Sequence, residues 1–306
     1  MSTQSSEFRH SRRAVLGLGF GAAVAVTAST GGAAYAESGP DTHRLLAAME
    51  REHGVRLGVF ARNVSTGRTV RYRADEAFPM CSVFKTLAAS AVLRDLDRNG
   101  EFLARRIHYT AEDITRSGGE ESAAVTKDHL ADGMTVAELC KAAIDHSDNT
   151  AANLLLRELG GPTAVTDFCR SIGDRTTRLD RWEPELNSAE PDRGTDTTTP
   201  RAIARTYRRL ALGHALPPAK REQLTTWLRG NTTSTNRFRK GLPADWALAD
   251  KTGSGRYGTA NDVGIAWTPS GAPVVLAVLT TKPDEAAVRD EPVVAETAAL
   301  LASVLG

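Results

Sequence analysis

Apolar positions along residues 42–53 fall at helical spacing, with Leu45, Leu46 and Met49 on one face and Asp41 ahead of them as a candidate N-cap. That segment predicts an amphipathic helix. The hydrophobic period then shortens to that of a strand. Residues 57–61 and 69–73 are short β-rich runs joined through Asn63-Val64-Ser65-Thr66-Gly67, which predicts a hairpin. From about Ser82 to Leu228 the pattern is mainly helical, clearest over 83–96, 136–144, 150–159, 162–172 and 200–212. Pro162 and Pro200 open their segments, where a first-turn proline is tolerated. Strand patterns return at 246–251, 262–268 and 274–280, and a helix over 292–305 closes the chain. Strands at both ends around a helical middle predict one sheet assembled from the two termini, with an all-helical region inserted. The expected boundaries are 37–81 with 230–306 for the α/β part and 82–229 for the helical part.

Residues 174–199 break the periodicity with a polar run rich in Pro, Gly and Asp. A loop of that length inside a folded protein is usually functional or disordered. The first 36 residues stand apart as well. Arg12-Arg13 precedes an Ala/Val/Gly-rich stretch to about Ala28, and Ala34-Tyr35-Ala36 follows with small residues at both processing positions. This pattern predicts a twin-arginine signal peptide cleaved after Ala36, and therefore an exported protein. A stretch of about fifteen apolar residues diluted by glycine falls short of the ~20 that span a bilayer. The mature chain is expected to be a soluble monomer without stable membrane association.

Composition narrows the picture without identifying it. With 306 residues, 41% hydrophobic and 25% charged, the chain is ordinary globular material rather than disordered, collagen-like or coiled coil. A net charge of +1 argues against nucleic acid or an anionic membrane as the main partner. Three cysteines, Cys81, Cys140 and Cys169, are too few for a disulfide framework and read as small buried hydrophobes. Lysine is scarce, 7 against 31 arginines, so each lysine is easier to interpret.

The candidate chemistry follows from that scarcity. No H-E-x-x-H pair, C-x-x-C, G-x-S-x-G elbow or Walker loop occurs, so neither a metal nor a nucleotide cofactor is implied. Ser82-Val83-Phe84-Lys85 places a hydroxyl and an amine on one helix face at i,i+3. A buried lysine of lowered pKa can activate such a hydroxyl. On its own this four-residue pattern arises about once by chance in a chain of this length. Ser147-Asp148-Asn149 and Lys251-Thr252-Gly253 follow in order, each with a chance expectation of about 0.05 per chain.

With these three motifs the sequence resembles the class A serine β-lactamases. The resemblance covers nearly all of the mature chain, including Asp132-Gly133-Met134-Thr135-Val136 and the run Ser147 to Leu156. It extends to Glu183-Pro184-Glu185-Leu186-Asn187, which matches the family's E-x-x-L-N in the long loop at about 178–196. The resemblance implies an α/β fold in which an antiparallel sheet built from both chain ends is flanked by helices. An all-helical domain is inserted, and the active site lies between the two. It implies Ser82 as nucleophile toward a β-lactam substrate, with Lys85, Ser147 and Glu183 moving protons. The backbone N–H groups of Ser82 and Ser254 would form the oxyanion hole. Asn149 would hold the acylamide side chain, and Lys251, Thr252, Gly253, Ser254 and Arg237 would line the carboxylate site. Asn187 would hold the hydrolytic water with Glu183, and Arg181 with Asp196 would pin the loop. The Glu183-Pro184 bond matches one that is often cis in the family.

Two departures accompany the match. Neither cysteine that some relatives pair with Cys81 or Cys140 is present, and Ser122 stands where many relatives carry a rim aromatic. A D-Ala-D-Ala carboxypeptidase or penicillin-binding protein would share the three motifs but resembles nothing in the Glu183 loop. A β-lactam sensor acylated as a signal would need a membrane link or partner domain that the sequence does not show.

Overall fold

The computed structural model describes residues 40–306. The expected signal peptide, with its arginine pair and cleavage site, lies outside them. The chain begins with helix α1 (Pro40–Glu52), the hairpin β1 (Arg56–Asn63) and β2 (Thr69–Tyr72), and a short β3 (Phe78–Pro79). A 3₁₀ turn (Cys81–Val83) leads into α2 (Phe84–Ala91), which ends in a π-helical turn (Val92–Leu96). Short α3 (Glu101–Ala104), β4 (Arg106–Ile107) and α4 (Ala111–Arg116) precede β5 (Met134–Thr135), α5 (Val136–Asp145), α6 (Asn149–Leu159) and α7 (Thr163–Ser171). After the long loop come β6 (Thr197–Thr198), α8 (Pro200–Ala211), α9 (Pro218–Arg229) and α10 (Phe238–Gly241). Strands β7 (Ala247–Ser254), β8 (Ala260–Trp267) and β9 (Pro273–Thr281) and helix α11 (Glu291–Leu305) complete the chain.

Five strands form one antiparallel sheet in the order β2-β1-β9-β8-β7. The two ends of the chain meet where β1 pairs with β9, from Arg56 opposite Thr281 to Asn63 opposite Val274. β9 is an unbroken apolar run because both its faces are covered. Val274, Leu276 and Val278 join the cluster built with α1 and α11. Val275, Ala277 and Leu279 join the one built with α8 and the other helices. Each Val or Leu so buried contributes about 1.5–3 kcal/mol. Glycine at position 58 lets α8 and β3 approach the sheet, since a Cβ there would lie 2.5 Å from the Phe78 ring and 2.8 Å from Pro200 Cγ.

Helix ends follow local chemistry. Thr135 and Glu138 form a capping box at the start of α5, and Thr199 caps α8 with Pro200 in its first turn. α2 has every residue buried, which is why its sequence is apolar all round apart from Lys85 and small hydroxyl side chains.

Two expectations are corrected. Asp41 is not an N-cap: helix α1 already includes Pro40, a residue tolerated in a first turn, and Asp41 lies within that turn, paired with Arg44. The helix expected over 83–96 is not one α-helix, because its last turn widens, with Asp97 N bonding to Val92 O at 2.9 Å, before Asp97 turns extended. Hydrophobic spacing alone does not distinguish these turns. No helix among the described residues is long and apolar enough to cross a membrane.

Candidate active site

Ser82 sits in the 3₁₀ turn that opens into α2, so its backbone N–H lies among the unpaired donors of a helix start. The residue before it, Cys81, adopts φ +48°, and Ser147 adopts φ +59°. Both are left-handed conformations that cost non-glycine residues energy and often mark functional sites. The turn abuts β7, an edge strand of the sheet. Gly253 makes that approach possible, since a Cβ there would lie 2.7 Å from Met80 O and 3.3 Å from Cys81 Cβ.

The buried side chains of Ser82, Lys85, Glu183 and Lys251 converge here with the half-buried Ser147 and Asn149. Ser82 Oγ donates to Glu183 Oε1 at 3.4 Å, and Lys85 Nζ lies 3.0 Å from the same oxygen. Lys85 also donates to Ser147 O at 2.6 Å, to Ser147 Oγ at 3.3 Å and to Asn149 Oδ1 at 2.6 Å. Lys251 Nζ also donates to Ser147 Oγ, at 3.0 Å. The Ser147 hydroxyl therefore stands between two amines. Burial first, and then the neighbouring charge of Lys85, push Lys251 well below the ordinary lysine pKa. Asn187 Nδ2 donates to Glu183 Oε2, and its own Oδ1 has no protein partner. The Glu183-Pro184 bond is cis.

Arg237 extends the site along β7. Its guanidinium, 2% exposed as a residue, donates to Gly253 O at 2.9 Å, Asn261 O at 2.7 Å and Ser254 Oγ at 2.7 Å, and pairs with Glu291 at 3.0 Å. Thr252 Oγ1 bonds Thr233 Oγ1. Between the loop and the end of β7 lies a cavity of about 690 Å³ lined by Pro184, Asn187, Ser254, Gly255 and Arg256 among others. The loop itself is held by Arg181 Nε donating to Asp196 Oδ2 at 2.6 Å, while Asp196 Oδ1 accepts from the backbone of Asp180 and Arg181 at 2.7 and 3.0 Å. Ser122 lies in a 3₁₀ turn beside Gly118, which also approaches Pro184.

The structure brings Ser82, Lys85, Ser147, Asn149, Glu183, Asn187, Lys251, Thr252, Gly253, Ser254 and Arg237 together. Cys81, adjacent in sequence, is fully buried, and burial drives its thiol well above the usual range. Three supporting residues, one of them inside the Ser147-Asp148-Asn149 motif, have no role assigned from the sequence. Asn153 grips the Glu183 backbone from both sides, Nδ2 to Glu183 O at 2.9 Å and Oδ1 to Glu183 N at 3.0 Å. Asp148 accepts from Val125 N and Thr126 N at 2.9 Å and caps α6 through Ala151 N, fixing the turn that carries Ser147. Asn261 donates to Pro79 O at 2.8 Å, tying the approach to Ser82 onto β8.

Comparison with known proteins agrees with this geometry. The model of the β-lactamase enzyme family matches residues 42–305. A β-lactamase of Streptomyces lavendulae is 64% identical over 300 residues, covering 97% of this chain and 98% of that protein. The solved β-lactamase of Streptomyces albus G superposes with a TM-score of 0.85 at 63% identity, covering 87% of this chain and all of that one. A class A β-lactamase of the last common ancestor of Gram-negative bacteria gives 0.80 at 52% identity, over 86% of this chain and 98% of that one. The chain belongs to the β-lactamase enzyme family. Within it the protein is an enzyme of class A, the serine β-lactamases.

Proposed function

We propose that the enzyme hydrolyses the lactam amide of penicillins and cephalosporins through an acyl-enzyme on Ser82, and that residues 1–36 export it by the twin-arginine route. The observation that carries the mechanism is the shared oxygen: Glu183 Oε1 receives the Ser82 hydroxyl and faces the Lys85 ammonium. Ser82 Oγ attacks the lactam carbonyl and gives up its proton, and the C–N bond breaks as the nitrogen takes a proton relayed through Ser147. The Ser82 proton goes to the Glu183 carboxylate directly, or to Lys85 after its ammonium has passed a proton to Glu183 across their 3.0 Å contact. The Ser82 and Ser254 N–H groups stabilise the oxyanion. Lys251, Thr252, Ser254 and Arg237 hold the substrate carboxylate, and Asn149 holds the acylamide.

Hydrolysis of the ester then needs a water and a base, supplied by Glu183 with the open Oδ1 acceptor of Asn187. Glu183→Ala separates the steps. Mass spectrometry of that variant with a chromogenic cephalosporin is expected to show one stable acyl adduct per enzyme, without turnover. Unimpaired steady-state hydrolysis would remove Glu183 from the role of deacylation base. Sustained turnover by the unmodified enzyme, rather than one equivalent followed by silence, distinguishes it from an acylated sensor or penicillin-binding protein.

A further inference from the structure

Helix α8 carries four arginines and no acidic residue: Arg201, Arg205, Arg208 and Arg209. Its apolar side chains, Ile203, Tyr207 and Leu210, are buried, which confines the arginines to the outer face. Arg201, Arg205 and Arg209 recur every four residues, about 6 Å apart along the axis. Arg201 is bound by Asp75 at 2.6 and 2.7 Å. Arg205, Arg208 and Arg209 form no ion pair among the described residues. Burial and then the charges of Arg201 and Arg209 lower the pKa of Arg205, the signature of guanidinium groups crowded on one face. At the end of the helix Arg209 lines a concavity of about 350 Å³ together with His214 and Arg94, the latter paired with Asp95 at 2.6 Å and donating to Ser171 Oγ at 2.7 Å.

We infer that this face binds a linear phosphodiester polymer, with successive phosphates held by Arg205, Arg208 and Arg209, the last at the rim of the concavity. Guanidinium groups favour phosphate oxygens through paired N–H donors. The spacing along the helix is on the order of one repeat of an extended glycerol-phosphate chain. The large apolar side chains exposed among the described residues are Leu45, Leu130, Trp182 and Val288, none of them on α8. The stripe thus has no anchor for a bilayer and no aromatic platform on which bases could stack. A flexible backbone polyanion is what remains.

The test measures binding of poly(glycerol phosphate) oligomers to the intact enzyme by fluorescence anisotropy across a salt series. The triple variant R205Q/R208Q/R209Q is expected to bind at least tenfold more weakly, with its log–log salt slope reduced by about 2, roughly 0.7 for each phosphate no longer neutralised. Its β-lactam hydrolysis stays unchanged, because none of the three touches the active site. A control of equal charge, R44Q/R51Q/R106Q, is expected to keep the polymer affinity. Absent binding by the unmodified enzyme, equal binding by the triple variant, or an equal loss in the control would each overturn the assignment. Tighter binding of single-stranded oligonucleotides or anionic vesicles than of the polymer would overturn it too.

Discussion

Lys85 and Glu183 form an ion pair in which neither side chain is exposed to solvent, Nζ to Oε1 3.0 Å. Such a pair is costly to desolvate and is held here by the bonds from Lys85 to Ser147 and Asn149. Removing one partner leaves an uncompensated buried charge. Lys85→Met is therefore expected to destabilise the fold by about 3–5 kcal/mol, and Lys85→Met with Glu183→Gln to recover most of that loss. Both variants should be inactive. Urea unfolding reads the difference, and a double variant no more stable than the single one would count against the pair as the cause.

Asn153 supports the same carboxylate indirectly, through one donor and one acceptor to the Glu183 backbone. Truncation leaves both backbone groups without that partner, at about 1–3 kcal/mol. Asn153→Ala is expected to lower kcat by at least about tenfold, equivalent to 1.4 kcal/mol of barrier, with KM unchanged or lowered, because the loop that carries the deacylation base moves and the substrate-binding groups do not. A rise in KM at constant kcat would place Asn153 in binding instead.

What could be read in advance depended on whether chemistry and spacing coincide in the chain. Ser82 with Lys85, Ser147 with Asn149, and Lys251 with Thr252 lie within short motifs, so reactive groups announce themselves. β9 and its paired strand β1 were also visible, since a sheet buried on both faces leaves an apolar run. Asn153 and Asn261 act by bonding backbone groups remote in sequence, as Asp148 does toward Val125 and Thr126, and no local spacing encodes that; only the Asp148 cap on Ala151 N is local. The π-helical turn at Val92–Leu96 kept its apolar pattern while its hydrogen bonds changed, so periodicity could not find it. Helix α4 did carry a signal, the Thr110 and Asp113 capping box.

Beneath Lys251, Asp250 and Asp262 are fully buried side chains; their Oδ2 atoms accept from Asn231 Nδ2 and Phe238 N, Asp250 Oδ1 faces Arg239 Nη2 at 3.7 Å, and Asp262 Oδ1 has no hydrogen-bond partner. Burial first, and then the charge of Asp250, hold Asp262 well above the ordinary aspartate value of 3.8. The folded protein thus keeps a proton there that the unfolded chain has released, so stability falls as pH rises from 3.8 toward the folded value. Asp262→Asn keeps the shape, accepts from Phe238 N and donates an N–H toward Asp250. It is expected to raise the urea midpoint at about pH 8 and to give no gain at about pH 3, below the unfolded value. A gain of equal size at both pH values would show that proton linkage is not its origin.

The loop clasp makes an asymmetric prediction. Asp196 accepts from Arg181 Nε and from two backbone N–H groups, and its side chain is buried, whereas that of Arg181 is 25% exposed. Arg181→Ala removes one screened charge, and Asp196 keeps both backbone donors. Asp196→Ala leaves those two donors unpaired and Arg181 without its shortest ion pair. The expected losses are about 1–2 kcal/mol for Arg181→Ala and about 3–5 kcal/mol for Asp196→Ala. Because Glu183 lies two residues beyond Arg181, both changes should slow deacylation more than acylation, so that acyl-enzyme accumulates in the steady state. Urea unfolding and quenched-flow mass spectrometry measure the two effects. Equal losses from the two variants would mean that the ion pair, not the backbone bonds to Asp196, holds the loop.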